Sequence, residues 1–235
     1  FELYSETLQK FRLDAAGHGD IVPPKSHRER IQTYFDPLPF WYPTFEGTQI
    51  KVGDYPFHAI TQRPMHMYHS WGSQNAWLRQ ITNVNRLYMN REKGESLGLA
   101  DDDWVWLSSH IGRVKCQIAL MEGCNPDTLW TWNAIGKRGG AWGLDEDAPE
   151  MKQAFLLNHL ISELLPEREG GYRFSNSDPV TGQAAWYDLR VSIEKALPEE
   201  AGTSAPYFEP FEARRTGEIP AKLAYGLQFQ HEAVK

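Results

Sequence analysis

From Tyr55 onward the chain breaks into short apolar runs separated by turn residues, with the two-residue period of half-buried strands. Phe57–Thr61, Leu87–Asn90, Trp104–Ser108, Arg113–Leu120 and Leu129–Trp132 read as strands, and Leu189, Val191 and Ile193 mark a last one. Val114, Cys116, Ile118 and Leu120 fall on one face of the fourth run, and Gly112 permits a hairpin turn into it. Helical spacing appears at Met151–Leu165, where Phe155, Leu156, His159, Leu160 and Leu164 recur at three and four residues until Pro166 stops the pattern. Arg91–Gly98 reads as a brief helix ending on a glycine, the residue that best tolerates the left-handed turn after a helix. The sum is a mainly β domain with short helices, a barrel more readily than a layered α/β fold.

The flanks differ in texture. Pro23, Pro24, Pro37, Pro39, Pro43 and Pro56 punctuate residues 21–56, and proline removes backbone donors, so an extended arm with little regular structure is expected there. Residues 66–77 and 170–182 read as loops, and the end of the chain as a polar tail. The expected organisation is an N-terminal arm over 1–54, a barrel over 55–195 and a C-terminal tail over 196–235. Nine tryptophans in 235 residues hint at extensive buried interfaces.

Composition narrows the function class. A net charge of −7 does not favour a nucleic-acid binder, whose footprint is a basic field. Cys116 and Cys124 form no CxxC, so no cluster or zinc signature is present. No apolar run reaches the roughly 18 residues of a membrane span, and no secretion signal is visible. The chain starts at Phe1 and not at Met, which leads to the expectation of a piece of something longer.

Three segments carry a resemblance. The first is SLGLADDDWVWLSSHIGRVKCQIALMEGCNPDTLWTW, residues 96–132. It resembles the C-terminal domain of the dimethyl sulfoxide reductase family of molybdenum and tungsten enzymes, with its LG(I/L)xDGDxV turn, strand and GxV hairpin. Gly98, Asp103, Val105, Gly112 and Val114 fit that frame, while Asp102 stands where the family usually has Gly. The second, AITQRPMHMYHSWGSQNAWL (59–78), resembles the family's pterin loop, a TxRxxxHxHS type of element followed by Asn. The third runs over 155–195, with Asn158 on a helix and then DPVTGQAAWYDLRVSIEK. The opening FELYSE resembles the strand that precedes the domain. The resemblance implies a double-psi β-barrel of the aspartate decarboxylase-like kind, covering molybdopterin guanine dinucleotide (bis-MGD) with its molybdenum. It further implies that the 4Fe-4S cluster and the metal ligand lie upstream of this region.

A pterin is a flat ring edged with donors and acceptors, and each is costly to bury unpaired. Thr61, Gln62, Arg63, His69, Ser70, Gln74 and Asn75 offer partners within fifteen residues. Arg63 can make forked bonds to phosphate, and Gly72 allows close backbone approach. By resemblance Asn158 and the stretch Gln183, Trp186, Tyr187 form a second contact zone. Beside these stand plainer readings: Trp186 and Tyr187 as core, Asn158 as a helix-surface residue, His66 and His69 as loop histidines or two ligands of a metal lacking a third. The acidic run Asp101–Asp103 reads as a solvated turn. No residue is assigned as general acid, base, nucleophile or metal ligand.

FLLNHLISELLP followed by SNSDPVTGQAAWYDLRV looks most like catalytic subunits of membrane-associated sulfite dehydrogenases. That implies sulfite oxidation by the whole enzyme, with electrons leaving through iron–sulfur and membrane-anchor subunits; for the bacterial enzyme the cytoplasmic face of the inner membrane is favoured, with the periplasmic face as the alternative. The alternatives are a formate dehydrogenase fragment and a non-catalytic double-psi barrel used as a binding module. The region itself, without cluster or metal ligand, is expected to be inactive alone.

Overall fold

A computed structural model describes residues 2–38, 50–133, 135, 148–162, 173–178, 180–184, 189–204, 208–211 and 223–225. The chain divides into two compact units, one built from 46–162 with 187–219, the other from 1–45, 163–186 and 220–235.

The larger unit is a closed six-stranded barrel. Its strands are β1 (Phe57–Gln62), β2 (Arg86–Asn90), β3 (Trp104–Ser109), β4 (Gly112–Met121), β5 (Thr128–Trp132) and β7 (Arg190–Lys195). Around the ring they run β2-β5-β1-β7-β3-β4, and β4 pairs back to β2. Two pairings are parallel, β1 with β5 and β2 with β4, and the others antiparallel. Parallel neighbours need crossover connections, and two such interlocked crossings give the double-psi barrel expected from the sequence. Alternation does the sorting: Leu87, Met89, Leu107, Ile118 and Leu129 point inward and are fully buried, and Phe155, Leu157 and Leu160 close the core. Two-residue-period patterns become a barrel interior because every second side chain shares a face.

β3 departs from alternation, with Trp104, Val105, Trp106 and Leu107 all buried. Its outer face is covered by the C-terminal segment. The Trp106 indole N–H donates to Glu200 (3.0 Å), the Arg113 guanidinium lies 3.8 Å from the Trp106 ring centre, and Arg113 pairs with Glu209 (2.9 Å). The short strand β8 (Glu209–Pro210) pairs with the start of β4, where a Cβ on Gly112 would run into the Glu209 carbonyl and the Phe208 ring.

The helix Arg91–Ser96 ends as expected at Gly98, which has φ +74°; Gly98 N–H donates to the Glu95 carbonyl and Leu99 N–H to the Gly94 carbonyl. Asp102, where the family usually has glycine, takes φ +69°. The turn keeps a glycine's backbone with an aspartate in it.

Four expectations need correction. FELYSE is not a strand: Glu2–Ala15 form helix α1, a run of helix formers without proline, stopped at Gly17 (φ +89°). The arm is not wholly extended: Lys25–Tyr34 form helix α2, because Pro23 and Pro24 precede it and Pro37 follows it, so the prolines bound a helix and do not interrupt it. Phe11 packs edge-on against Phe35 (5.7 Å) and joins the two helices; residues 39–49 lie outside the described residues. Met151–Leu165 is not one helix. It splits into Pro149–Lys152 and a 3-10 turn at Leu157–Leu160. The carbonyls of Lys152, Gln153 and Phe155 bond to Ser204 N–H, Asn85 N–H and the Asn85 carboxamide, so the helical ladder is diverted; Leu164 and Leu165 lie outside the described residues. Finally, Arg173–Ser175 (β6), expected in a loop, pairs in parallel with Leu223–Tyr225 (β9), expected in the tail.

Candidate functional site

The site grows from the end of β1. Gln62 is the last strand residue, and its carbonyl accepts the Asn133 N–H (2.8 Å) just beyond β5. Pro64 then turns the chain, its carbonyl accepting the Met67 N–H (3.2 Å), and the Met67 side chain is buried. His69–Gln74 form a 3-10 helix. A Cβ on Gly72 would stand 3.1 Å from Met67, so the glycine serves the loop's approach to itself. Asn75 accepts the Trp77 N–H (2.9 Å) and caps the helical turn Ala76–Arg79.

Within this loop Thr61 is half-buried, while Gln62, Arg63, His69 and Asn75 are exposed. His69 sits at φ +47°, a backbone region that non-glycine residues adopt at a cost of about 1–2 kcal/mol, and such strain collects at ligand sites. Its ring meets Tyr68 edge-on at 5.2 Å. Arg63, Met65, His66, Met67 and Tyr68 line an open recess of about 610 Å³, within the size range of ligand sites. His66 Nε2 is shut from water and has no hydrogen-bond partner among the described residues. Large apolar side chains stand out in solvent along the same stretch: Met65 is wholly exposed, and Trp71 and Trp77 are 78% and 77% exposed.

The structure thus places Thr61 and Gln62 at the end of β1 and Arg63, His69, Gly72 and Asn75 on the segment that follows it. The side chains of Ser70 and Gln74, and all of Trp186 and Tyr187, lie outside the described residues. Asn158 belongs to the barrel unit and is exposed, on the 3-10 turn and not on a helix. Gln183 belongs to the smaller unit, exposed in a turn in which its carbonyl accepts the Asp178 N–H (2.7 Å).

Sequence reasoning missed Asn85. It is buried, and its carboxamide N–H groups reach the carbonyls of Trp132 (3.1 Å), Ile135 (2.7 Å) and Phe155 (3.1 Å), while its oxygen accepts the buried Thr131 hydroxyl (2.8 Å). One side chain therefore holds the end of β5 and the segment that follows the split helix. The only signal was polarity before a strand, which does not announce distant carbonyls.

The acidic turn also proves busier than a solvated run. Asp101 accepts the Leu120 N–H (2.7 Å) and pairs with Arg91 (3.2 Å), Asp102 pairs with Arg86, and Asp103 accepts the Ala100 N–H (2.8 Å) and pairs with Lys195 (2.6 Å). The Leu120 N–H holds the Asp101 carboxyl below the usual range, against a smaller opposing effect of burial. Burial works against Asp103 ionising, but Lys195 and the Ala100 N–H together outweigh it. Both cysteines are free. Burial pushes the Cys116 thiol far up, and pushes up Cys124 too, where a Trp130 N–H bond (3.0 Å) acts the other way. Among the described residues no cluster of three or more His, Cys, Asp or Glu is placed to hold a metal ion, and no helix is long and apolar enough to cross a membrane.

The barrel and its end loop define a class. The profile of the molydopterin dinucleotide binding domain matches residues 57–177, and the chain belongs to that family. It is 53% identical over 209 residues, 88% of its length, to a sulfite dehydrogenase subunit from Allochromatium vinosum. It is 25% identical over 194 residues, 80% of its length, to dopamine dehydroxylase of Eggerthella lenta. The chain spans only 22% and 16% of those two relatives. In structure it resembles acetylene hydratase from Pelobacter acetylenicus, with a TM-score of 0.52 and 16% identity over 68% of this chain and 22% of that one, a likeness of fold.

Proposed function

We propose that this chain is the cofactor-gripping C-terminal part of a molybdenum oxidoreductase whose whole form oxidises sulfite or a related sulfur oxyanion. The carrying observation is the Thr61–Asn75 loop, strained at His69 and walling a recess, in a chain 53% identical to a sulfite dehydrogenase subunit. The donor set fits a pterin dinucleotide. Arg63 offers a fork for phosphate, and His66, whose Nε2 has no hydrogen-bond partner among the described residues, has an imidazole to spare for a polar ligand. The cofactor, bis-MGD with molybdenum, supplies the two-electron chemistry when bound. The protein's part is to hold and orient it through Thr61, Gln62, Arg63, His69, Ser70, Gly72, Gln74 and Asn75, with Asn158, Gln183, Trp186 and Tyr187 as a second zone. A 4Fe-4S cluster and the metal ligand belong to the remainder of the enzyme, and iron–sulfur and membrane-anchor subunits carry electrons away at the cytoplasmic face of the inner membrane. The 235-residue piece alone is inactive and holds the dinucleotide weakly, lacking half of the cage.

The test is the full-length protein, purified and analysed for molybdenum, pterin fluorescence and sulfite-dependent reduction of an artificial acceptor. Stoichiometric metal and sulfite turnover are expected. Formate turnover without sulfite turnover overturns the substrate, and absence of both metal and pterin overturns the cofactor.

A further inference from the structure

We propose that His66 forms, with Arg63, an oxyanion subsite in the recess at the end of the barrel. The inference deepens the function proposed above and rests on it for the ligand's source. The fixed positions of the loop pattern include Arg63, His69 and Ser70, and His66 stands between them outside those positions. The structure gives it an unusual setting. Its backbone is fixed from both sides, by the turn in which Met67 N–H donates to the Pro64 carbonyl (3.2 Å) and by the buried Met67 side chain. Its ring is fixed by nothing polar: Nε2 is shut from water and unpaired. An unpaired buried nitrogen is a standing cost that an ordinary loop histidine escapes by turning to water. His66 already lines the recess, so rotation about its side-chain torsions brings an imidazole N–H to a ligand there.

The rest of the lining says what that ligand is. Arg63 is exposed, and makes no hydrogen bond or ion pair among the described residues. Among those residues no carboxylate lines the recess, so nothing there repels an anion. A guanidinium and an imidazole donor on one short segment can each make a charge-assisted hydrogen bond to an anion seated between them. The fork and the single N–H match the oxygens of a tetrahedral or pyramidal oxyanion. Two sources share that chemistry: the substrate, as sulfite, and the dinucleotide's own phosphates.

The experiment compares wild-type full-length protein with His66→Phe, which keeps the ring volume without a donor, and His66→Gln, whose amide restores one. Molybdenum and acid-released guanine nucleotide, the KM and kcat for sulfite, calorimetric binding of sulfite and the Tm are measured on all three. Because Nε2 has no protein partner, His66→Phe keeps the wild-type Tm. Loss of one charge-assisted hydrogen bond raises KM for sulfite, or weakens its binding, by about tenfold. If that occurs with cofactor content and kcat unchanged, the oxyanion is the substrate. If instead cofactor content falls by half or more while the loaded fraction keeps its KM, the oxyanion is a dinucleotide phosphate. His66→Gln recovers most of either loss. The proposal is overturned if His66→Phe matches wild type in cofactor content, KM and sulfite binding, or if both variants are equally impaired with a lowered Tm. Wild-type protein without molybdenum and pterin refutes the cofactor reading alone, and sulfite binding to wild type against His66→Phe still decides the subsite.

Discussion

Asn85 is the residue whose replacement tells most. Its carboxamide serves three carbonyls and one hydroxyl, all buried but the half-buried Trp132 carbonyl. Asn85→Leu fills similar volume but leaves these groups unpaired and shut from water, a loss of about 3 kcal/mol, read as a lower urea midpoint at unchanged m-value. Asn85→Asp does little better, since the carbonyls need N–H groups. Asp102 makes the opposite kind of case. Its backbone lies at φ +69° and its side chain pairs with Arg86 on an exposed surface. The ion pair is worth little there, so the backbone decides: Asp102→Ala is expected to be less stable than Asp102→Gly by about 1 kcal/mol. Equal urea midpoints for the two variants would contradict that. The glycine of the family pattern could be read in the sequence as missing. That its conformation survives without it could not, since the turn is held by bonds between its main chain and Ile118 on β4, distant in sequence.

At the level of elements, the turn at Ala100–Asp103 fastens one end of the barrel. Asp101 reaches β4 through the Leu120 N–H, Asp102 reaches Arg86 at the start of β2, and Asp103 reaches Lys195 at the end of β7. Asp101 and Asp103 have carboxyls held below their ordinary value. A depressed carboxyl contributes stability that is present above the unfolded pKa of about 3.9 and is lost as pH falls through the folded value. Thermal melts should therefore drop below about pH 4, and the drop should shrink in the double variant Asp101→Asn, Asp103→Asn. An unchanged slope would mean that other carboxyls dominate. The strands themselves were legible because one face of each is buried, so period two survives in the sequence. Their order was not: β1 lies beside β5, and β2 beside β4, through crossovers that no local pattern encodes. The helix α2 was obscured by reading prolines as breakers when they stand at its boundaries, and α1 by the resemblance of FELYSE to a strand.

In the barrel unit as a whole, stability and the proposed function separate in space, and this can be measured. The ring of strands closes on Leu87, Leu129 and Phe155, each fully buried, while the loop beyond β1 carries Trp71 and Trp77 out in solvent. Burial is what converts apolar area into stability, so exposed aromatics contribute almost nothing to holding this chain together. Phe155→Ala is expected to cost about 3–5 kcal/mol, because it empties the plug of the barrel while leaving the main-chain carbonyl that Asn85 holds in place. Trp71→Ser and Trp77→Ser should each change stability by less than about 0.5 kcal/mol. Urea unfolding of the 235-residue chain checks all three. A large loss from either tryptophan variant would show that the loop is part of the fold's support and not a surface laid upon it. The candidate loop was visible in the sequence for the same reason that it is dispensable to the barrel. Arg63, His69 and Asn75 cluster as polar residues where a core segment would show alternation, and nothing in the barrel's packing asks for them. Asn85 was invisible for the converse reason: its partners, the Thr131 hydroxyl apart, are main-chain carbonyls as far as 70 residues away, and main-chain atoms leave no trace in composition.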